Sequence, residues 1–248
     1  MIIDTPPVAQ LEQLWQQAFG DPEEFIDAFF RTGFSPNRCR WICKGDKVAA
    51  MLFWFDCYCW GEKLAYLYGV ATEESFRGQG LCHSLMEDTH TYLTGKGYAG
   101  TVLVPGNEGL FRFYEGMGYR PFGGMREFSC AAAEKSCALR AIDQEEYAAL
   151  RRRVLPQGGV VQEAETLDFL QTQVNFYAGE DFVMAAVVED DRLFAPELLG
   201  NTSAAPQVLS ALQLEEGRFR TPGTEKCFAM YRGLTQIEPP AYFGLALD

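Results

Sequence analysis

A turn at residues 77–81 carries the residue types in this chain that are best suited to binding chemistry. Gly78 and Gly80 stand directly before a segment with helical spacing of apolar residues, and Arg77 precedes them. Glycine lets a ligand approach the backbone closely, and a helix start presents unpaired N–H groups at the positive end of the helix dipole. Arginine adds a charge-assisted donor. The turn therefore predicts a site for a phosphate or pyrophosphate.

Two common phosphate-binding motifs do not match this turn. A Walker A loop ends in Gly-Lys-Ser/Thr, whereas Leu81 follows Gly80. A Rossmann fingerprint needs a third glycine where this chain has His83. The remaining alternative for an isolated Gly-x-Gly is a tight turn without a ligand, so the assignment depends on the elements around it.

The elements around the turn predict a strand, a helix, a second strand and a second helix. Residues 64–70 form an apolar and aromatic run, which is typical of a strand, and helical spacing then extends from Leu81 to Gly95. Residues 100–104 predict another short strand. Asn107 is a good N-cap for a further helix, which has Tyr114 on its apolar face and ends at two glycines.

Together these segments closely resemble the GNAT superfamily of N-acetyltransferases. The family has an Arg-x-x-Gly-x-Gly/Ala type of turn between a strand and a helix, and residues 75–80 (Ser-Phe-Arg-Gly-Gln-Gly) answer to it. A later Asn, a helix bearing a Tyr and an aromatic strand after a Gly answer to Asn107 and residues 113–119. Ser75 departs from the usual Gln or Arg at the first position. The resemblance covers roughly the first half of the chain.

The resemblance implies a binding site for acetyl-coenzyme A. Backbone groups after a bulge in the strand, for which Gly69 is the plausible place, would pair with the pantetheine arm, and the glycine turn would hold the pyrophosphate. Asn107 would hold the arm or only cap its helix. The implied cofactor-binding residues are Val70, Ala71, Thr72, Arg77, Gly78, Gln79, Gly80, Leu81 and Asn107.

The resemblance also implies acetyl transfer to an amine, with Tyr114 as the general acid. A phenol with a pKa of about 10 stays protonated at neutral pH and can protonate a thiolate whose pKa is about 8.5. The general base and the acceptor amine stay open, and four carboxylates near the relevant strands are candidates for the base: Asp56, Glu62, Glu73 and Glu74. A non-catalytic acyl-coenzyme A sensor is the competing class of protein.

The expected architecture is α/β, a mostly antiparallel GNAT sheet flanked by helices, in two domains. The polar stretch at residues 131–136 predicts a boundary, with an acetyl-coenzyme A-binding domain at residues 1–133 and a second α/β domain at 137–248. Residues 182–194 weakly echo 48–65, but residues 199–206 lack the arginine and the Gly-x-Gly of the turn. The second half therefore looks like a degenerate GNAT copy that walls the acceptor site. Coincidental similarity and a protein-interaction module are the alternatives.

The net charge and the cysteine content indicate which classes of partner the protein binds. The net charge of −13 disfavours nucleic acid and would favour a cationic acceptor such as a small amine, a polyamine or a peptide amine, or else only confer solubility. The eight cysteines contain no Cys-x-x-Cys pair, so we expect core packing and no metal. Cys82 is placed to have a lowered thiol pKa, because it lies at a helix start near Arg77, although packing is its expected role.

The ends of the chain predict a cytoplasmic protein without a membrane segment. The apolar run at the start of the sequence is too short, and its surroundings are too polar, for a signal peptide. No apolar run reaches the length of a membrane span. Residues 237–248 are unusually apolar for a free C-terminus. We expect them to be buried, either between the domains or at a homodimer contact.

Overall fold

The computed structural model describes residues 5–246, whose strands join into one twelve-stranded sheet. The order across the sheet is β1-β2-β3-β4-β12-β5-β11-β10-β9-β8-β6, and the short β7 pairs with β2. The strands are β1 (Cys39–Lys44), β2 (Lys47–Cys59), β3 (Glu62–Thr72), β4 (Gly100–Leu103), β5 (Arg120–Ala131), β6 (Arg140–Ile142), β7 (Val161–Gln162), β8 (Asn175–Ala178), β9 (Phe182–Glu189), β10 (Arg192–Gly200), β11 (Glu216–Pro222) and β12 (Lys226–Gly233).

Helices cover the sheet on both sides. They are α1 (Val8–Phe19), α2 (Glu23–Thr32), α3 (Leu81–Gly95), α4 (Glu108–Glu115), α5 (Gln144–Val154), α6 (Glu165–Leu170) and α7 (Ala205–Leu212). None of the helices in the described part of the chain is both long enough and apolar enough to cross a membrane.

The predicted strands and helices around the glycine turn are confirmed with small shifts at their ends. The strand before the turn is β3 of a three-strand meander β1–β2–β3, with Gly45 and Gly61 at positive φ in its two turns. Helix α3 runs from Leu81 to Gly95 as predicted. The second helix starts after Asn107, whose Oδ1 accepts from the Leu110 N–H at 3.1 Å.

The two halves of the chain exchange strands at the centre of the sheet. Strand β12 from the C-terminal half lies between β4 and β5, and β5 pairs with β11 of the C-terminal half. On either side of the β5–β12 pair the connections follow the same order. An antiparallel hairpin (β2–β3 or β9–β10) is followed by a helix (α3 or α7) and then by a strand parallel to the second hairpin strand (β4 or β11).

The strand exchange means that pairing crosses the predicted boundary near residue 133. Ala132 and Ala133 donate backbone hydrogen bonds of 2.8 and 2.9 Å to Glu215 and Pro206, so the stretch expected to be a linker is held by the C-terminal half. The division at 133 and 137, like the duplication itself, stays a prediction. The mixed, mostly antiparallel sheet flanked by helices is confirmed.

The apolar core of the N-terminal half lies on both faces of the sheet. One face carries an aromatic cluster of α1, α2 and the meander, in which Trp15 and Phe29 have ring centroids 4.6 Å apart. The other face packs α3 and α4 through residues such as Leu85, Met86 and Tyr114. Trp15 and Phe29 are both buried, so these aromatic residues belong to the core.

Residues 242–246 of the apolar C-terminal segment are buried between the halves, as one of the two expectations had it, while residues 247 and 248 lie outside the described residues. Phe243 packs on Tyr66 of β3 with ring centroids 4.8 Å apart, and the Tyr242 carbonyl accepts from the Val160 N–H at 2.8 Å. The Gln162 side chain donates to the Leu245 carbonyl at 2.5 Å. The segment thus joins strand β3 of the N-terminal half to the C-terminal half.

Candidate functional site

A bulge in β3 opens the site, and it lies at Gly69 as the sequence predicts. Ala71 faces Met51 and Tyr68 faces Phe53 on β2, so that β3 holds one residue more than β2 between these pairs. Gly69 has φ +58°, and a Cβ there would lie 2.9 Å from the Phe53 ring. Both the positive φ and the close ring favour glycine at this position.

Strands β3 and β4 separate just before the bulge. Their parallel pairing covers Leu64–Gly100, Ala65–Thr101 and Tyr66–Val102, and within the described residues no further β3–β4 pair follows. The β4-facing backbone groups of the end of β3 therefore have no strand partner. This leaves a slot at the sheet edge that leads to the glycine turn.

The turn presents backbone amides at the start of α3. Gly78 and Gly80 have φ of +72° and +74°, in the left-handed region that glycine tolerates. The Arg77 Nε–H donates to the Thr72 carbonyl at 3.2 Å, which joins the turn to the end of β3. The first hydrogen bond of the helix runs from the Ser84 N–H to the Gly80 carbonyl. The N–H groups before Ser84 in the first turn therefore have no acceptor within the helix. This geometry suits an anion.

A cleft of about 480 Å³ connects the end of β3, the turn and the α4 helix. Its lining residues are Ala18, Phe19, Val70, Ala71, Thr72, Phe76, Arg77, Gly78, Gly80, Leu81, Cys82, His83, Leu110, Phe113 and Tyr114. The structure thus brings together eight of the ten predicted site residues, with only Gln79 and Asn107 outside the lining.

Asn107 and Gln79 are used for local structure. The Asn107 side chain caps α4, because its carbonyl oxygen accepts the hydrogen bond from the Leu110 N–H. The residue is exposed. The Gln79 side chain donates to the Ser75 carbonyl at 3.3 Å and so supports the turn. For Asn107 the helix cap is therefore the role with a visible contact, and a coenzyme A contact stays a prediction.

Tyr114 is buried at the inner end of the cleft. It is 6% exposed, and its hydroxyl makes no hydrogen bond with any residue of the described chain. The edge of its ring meets Tyr119, with centroids 5.8 Å apart. Burial, and next the nearby Cys82 thiol, raise the pKa of the Tyr114 phenol well above its usual value. The phenol is therefore fully protonated at neutral pH.

The expectation of a lowered thiol pKa at Cys82 is wrong. Burial raises the pKa of this thiol to about 11. Desolvation of the thiolate outweighs the helix dipole here, because Cys82 is partly enclosed between the helix start and α4. Cys82 thus lines the cleft as a neutral apolar group, which is the packing role that the sequence favoured.

Several lining residues escaped the sequence analysis. Ala18 and Phe19 come from the end of α1, which packs across the end of β3 only in the folded chain. His83 and Phe113 flank the cleft from α3 and α4. For His83 a signal existed, because a residue in the first turn of a helix lies beside the amides that would hold an anion.

Of the four candidate bases, Asp56 is already engaged. The Tyr98 hydroxyl donates to its Oδ1 at 2.5 Å, and Lys63 Nζ lies 2.7 Å from its Oδ2. Glu73 and Glu74 border a second cleft of about 330 Å³, which shares Ala18, Thr72 and Arg77 with the first. All eight cysteines are free, and within residues 5–246 no group of three or more His, Cys, Asp or Glu could hold a metal ion.

Comparison with known proteins places this geometry in a family. Residues 7–122 match the family model of the acetyltransferase (GNAT) domain. The GCN5-related N-acetyltransferase from Kribbella flavida superposes with a TM-score of 0.69 at 18% identity, over 94% of this chain and 71% of that one. The enzyme of the same description from Anabaena variabilis gives 0.72 at 14% identity, over 92% and 70%.

A third solved structure spans nearly the same length as this chain. The GCN5-related N-acetyltransferase from Sphaerobacter thermophilus has a TM-score of 0.54 at 11% identity, over 96% of this chain and 97% of that one. A search of the curated proteins gives no significant match. At these identities the solved structures establish the fold, and the family model establishes the domain. Residues 7–122 of the chain are therefore identified as an acetyltransferase (GNAT) domain.

Proposed function

We propose that this acetyltransferase moves the acetyl group of acetyl-coenzyme A to a primary amine, with Tyr114 as the general acid. The GNAT domain supports acyl transfer from acetyl-coenzyme A in general. The observation that carries the finer proposal is the single cleft that holds both the amides of the glycine turn and the buried residue Tyr114, whose hydroxyl has no hydrogen-bond partner among residues 5–246. An anion site and a proton donor in one cleft suit a thioester of coenzyme A, because coenzyme A contains a pyrophosphate and leaves as a thiolate that needs a proton.

The residues present fit the cosubstrate. Thr72 lines the cleft, and its buried Oγ1 has no hydrogen-bond partner in the described part of the chain, so a polar group of a ligand would satisfy it. The unpaired edge of β3 at Val70 and Ala71 offers N–H and C=O groups to the amides of a pantetheine arm. The cleft volume of about 480 Å³ lies in the range of small-molecule sites.

Two groups of the chain would act on the reacting atoms. A backbone N–H near Val70 would donate to the thioester oxygen as negative charge develops on it during attack by the amine. The Tyr114 hydroxyl would give its proton to the departing thiolate, so that the carbon–sulfur bond breaks and coenzyme A leaves as a thiol. Because the raised pKa comes from desolvation, the same surroundings raise the proton affinity of the thiolate.

The acceptor we propose is a cationic amine, either a small molecule or a peptide. The chain has a net charge of −13, which attracts cations over long distances. Glu73 and Glu74 add carboxylates at the second cleft, which adjoins the cosubstrate cleft. The general base stays open. The Asp56 carboxylate already binds Tyr98 and Lys63, which makes it a poor candidate.

For residues 137–248 we propose a GNAT-like half that binds no cofactor and walls the acceptor side. Support comes from the repeated order of hairpin, helix and parallel strand, and from the absence of the arginine and glycine turn at residues 199–206. Contacts from this half reach α2, where Phe169 meets Phe25 at 5.4 Å, and the turn before β1, where Glu165 pairs with Arg38 at 3.1 Å. A protein-interaction module is the competing role.

Calorimetric titration with coenzyme A and with pantetheine, which lacks the pyrophosphate, tests the binding site. We expect heat with coenzyme A and far weaker binding of pantetheine. Arg77→Gln should weaken coenzyme A binding by about 10-fold, whereas Arg192→Gln on the exposed surface should not. No heat with coenzyme A at millimolar concentration would overturn the proposal.

Thiol release from acetyl-coenzyme A with a panel of amines separates the enzyme from the sensor. An acetyltransferase releases coenzyme A in proportion to a suitable amine, and the acetylated amine appears in equal amount. Tight binding of acetyl-coenzyme A without release for any amine of the panel would favour the acyl-coenzyme A sensor.

A further inference from the structure

Arg232 on β12 reaches from the C-terminal half into the helices that form the cleft of the N-terminal half. Its guanidinium pairs with the Glu87 carboxylate of α3, with Nη2–Oε2 at 3.3 Å and a shorter contact from Nη1. Nη1 also lies 2.9 Å from His90 Nδ1 and donates to the Met117 carbonyl at 2.9 Å. One side chain thus joins α3 to the turn that follows α4.

A buried chain of hydrogen bonds continues from His90. Its Nε2 lies 2.8 Å from the Tyr119 hydroxyl, which lies 2.7 Å from Thr101 Oγ1 on β4. His90, Tyr119 and Thr101 are all buried. Polar groups in such a place need partners, so this chain has a definite direction of proton donation once one of its members is fixed.

Arg232 fixes that direction. A guanidinium has donors and no acceptor, and a proton on His90 Nδ1 would point at the cationic Nη1 2.9 Å away, so this Nδ1 carries no proton. The proton of the neutral imidazole is then on Nε2 and is donated to Tyr119. The Tyr119 hydroxyl, which accepts from His90, is left to donate to Thr101. The arginine therefore selects one tautomer of His90 and one orientation of the Tyr119 hydroxyl.

Tyr119 and the turn after α4 both hold Tyr114. The Tyr114 carbonyl accepts from the Met117 N–H at 2.9 Å and from the Tyr119 N–H at 3.1 Å. The Tyr119 and Tyr114 rings are in edge-type contact, with centroids 5.8 Å apart. Arg232 thus acts on Tyr114 by two routes, through the Met117 carbonyl and through His90 and Tyr119.

We propose that Arg232 is a positioning residue for the Tyr114 hydroxyl, supplied by the C-terminal half through the strand exchange. This rests on the proposed role of Tyr114 as general acid. Its consequence is that the C-terminal half is part of the catalytic unit, because the strand that it inserts beside β4 sets the proton donor of the cleft.

Four charged or titratable groups face His90, and they decide its protonation. Arg232 and Glu87 lie at Nδ1, with Glu87 Oε1 at 3.6 Å, and Tyr119 lies at Nε2. His83 acts from about two turns away on α3. Burial and Arg232 lower the pKa of His90 to about 4. Without Arg232 the Glu87 carboxylate would face Nδ1 alone and would draw a proton onto it.

Steady-state kinetics of Arg232→Met test the positioning role. We expect kcat to fall by roughly 10-fold with the KM for acetyl-coenzyme A unchanged within about two-fold, because the cleft remains and the hydroxyl is misplaced. Arg232→Lys should recover part of kcat, and Arg192→Met, at an exposed ion pair with Glu216, should match the wild type. A folded Arg232→Met protein with wild-type kcat would overturn the proposal.

Tyr119→Phe gives a second variant that keeps the ring and cuts the hydrogen-bond chain. If Arg232 acts through Tyr119, both changes together should lower kcat little more than Arg232→Met alone. Fully additive losses would show that the two residues act separately and would contradict the chain from Arg232 to Tyr119.

Nitrogen NMR of the two histidines provides a readout that does not depend on activity. In the wild type His90 should carry its proton on Nε2 and stay neutral from pH 8 to pH 5, while in Arg232→Met it should titrate at least one unit higher. A His90 proton on Nδ1 in the wild type would contradict the proposal even if acetyl transfer itself were absent. Wild-type enzyme without thiol release, but with this tautomer, would count against the proposed function alone.

Discussion

Arg151 and Glu197 form a two-point ion pair inside the C-terminal half, with Nε–Oε2 at 2.7 Å and Nη2–Oε1 at 3.0 Å. Their side chains are 2% and 0% exposed. The hydroxyls of Tyr147 and Tyr242 donate to the same carboxylate at 2.7 and 3.1 Å, and the remaining Arg151 nitrogen donates to the Val160 carbonyl at 3.0 Å. The pair therefore anchors the C-terminal segment, to which Tyr242 belongs.

Removing one member of this pair should destabilise the protein strongly. Arg151→Met leaves the Glu197 carboxylate buried with only two hydroxyl donors, at an expected cost of about 3–5 kcal/mol in the free energy of unfolding. Arg140→Met is the matched control, because Arg140 pairs with Glu146 on the surface, where solvent screens the pair and its loss should change stability little. Urea unfolding measures both. Equal losses of unfolding free energy in the two variants would show that the buried pair contributes no more to stability than the surface pair.

Gly69→Ala should cost more stability than Gly45→Ala, although the two glycines have nearly the same φ, +58° and +61°. A Cβ at residue 69 would lie 2.9 Å from the Phe53 ring, whereas at residue 45 it would meet no atom within 4 Å. Both variants pay the strain of a positive φ, and only Gly69→Ala adds overpacking of about 1–3 kcal/mol. The same variant should weaken coenzyme A binding, since the bulge shapes the slot. Indistinguishable unfolding midpoints would contradict the argument.

Tyr114→Phe should lower turnover by about 100-fold or more while the affinity for coenzyme A stays nearly constant. The change removes the proton donor and keeps the ring that packs on Tyr119. Thiol release and calorimetry measure the two quantities separately, and Tyr58→Phe, at an exposed tyrosine, serves as the control. Full activity in Tyr114→Phe would remove this residue from the mechanism.

His90 should make the protein less stable as the pH falls from about 6.5 to about 4. The pKa of His90 is lowered to about 4 by burial first and by Arg232 second, so the folded state holds the neutral ring. Between the two pKa values the unfolded chain binds a proton that the folded chain does not, and stability falls by up to about 3 kcal/mol across this window.

Unfolding curves at pH 7, 5.5 and 4.5 test this dependence. His90→Gln cannot take up a proton in this range, so the difference in stability between the variant and the wild type should change with pH in the stated direction. Parallel curves for the two proteins would show that His90 does not titrate differently in the folded and unfolded states.

Much of the site is local in sequence and was predictable for that reason. The positive φ of Gly78 and Gly80, the Asn107 cap and the extent of α3 depend on residues within one or two turns of each other. The bulge at Gly69 could be placed because a lone glycine in an apolar strand favours such a break. Local backbone preferences act on neighbours along the chain, and these a sequence displays directly.

The properties that depend on distant partners could not be predicted from the sequence. The insertion of β12 between β4 and β5, and with it the contact between Arg232 and His90, joins residues more than a hundred positions apart. The pKa of Cys82 went the opposite way from the expectation, because burial depends on how α4 packs over α3. Strand exchange and desolvation arise from long-range packing, so the tertiary structure alone decided them.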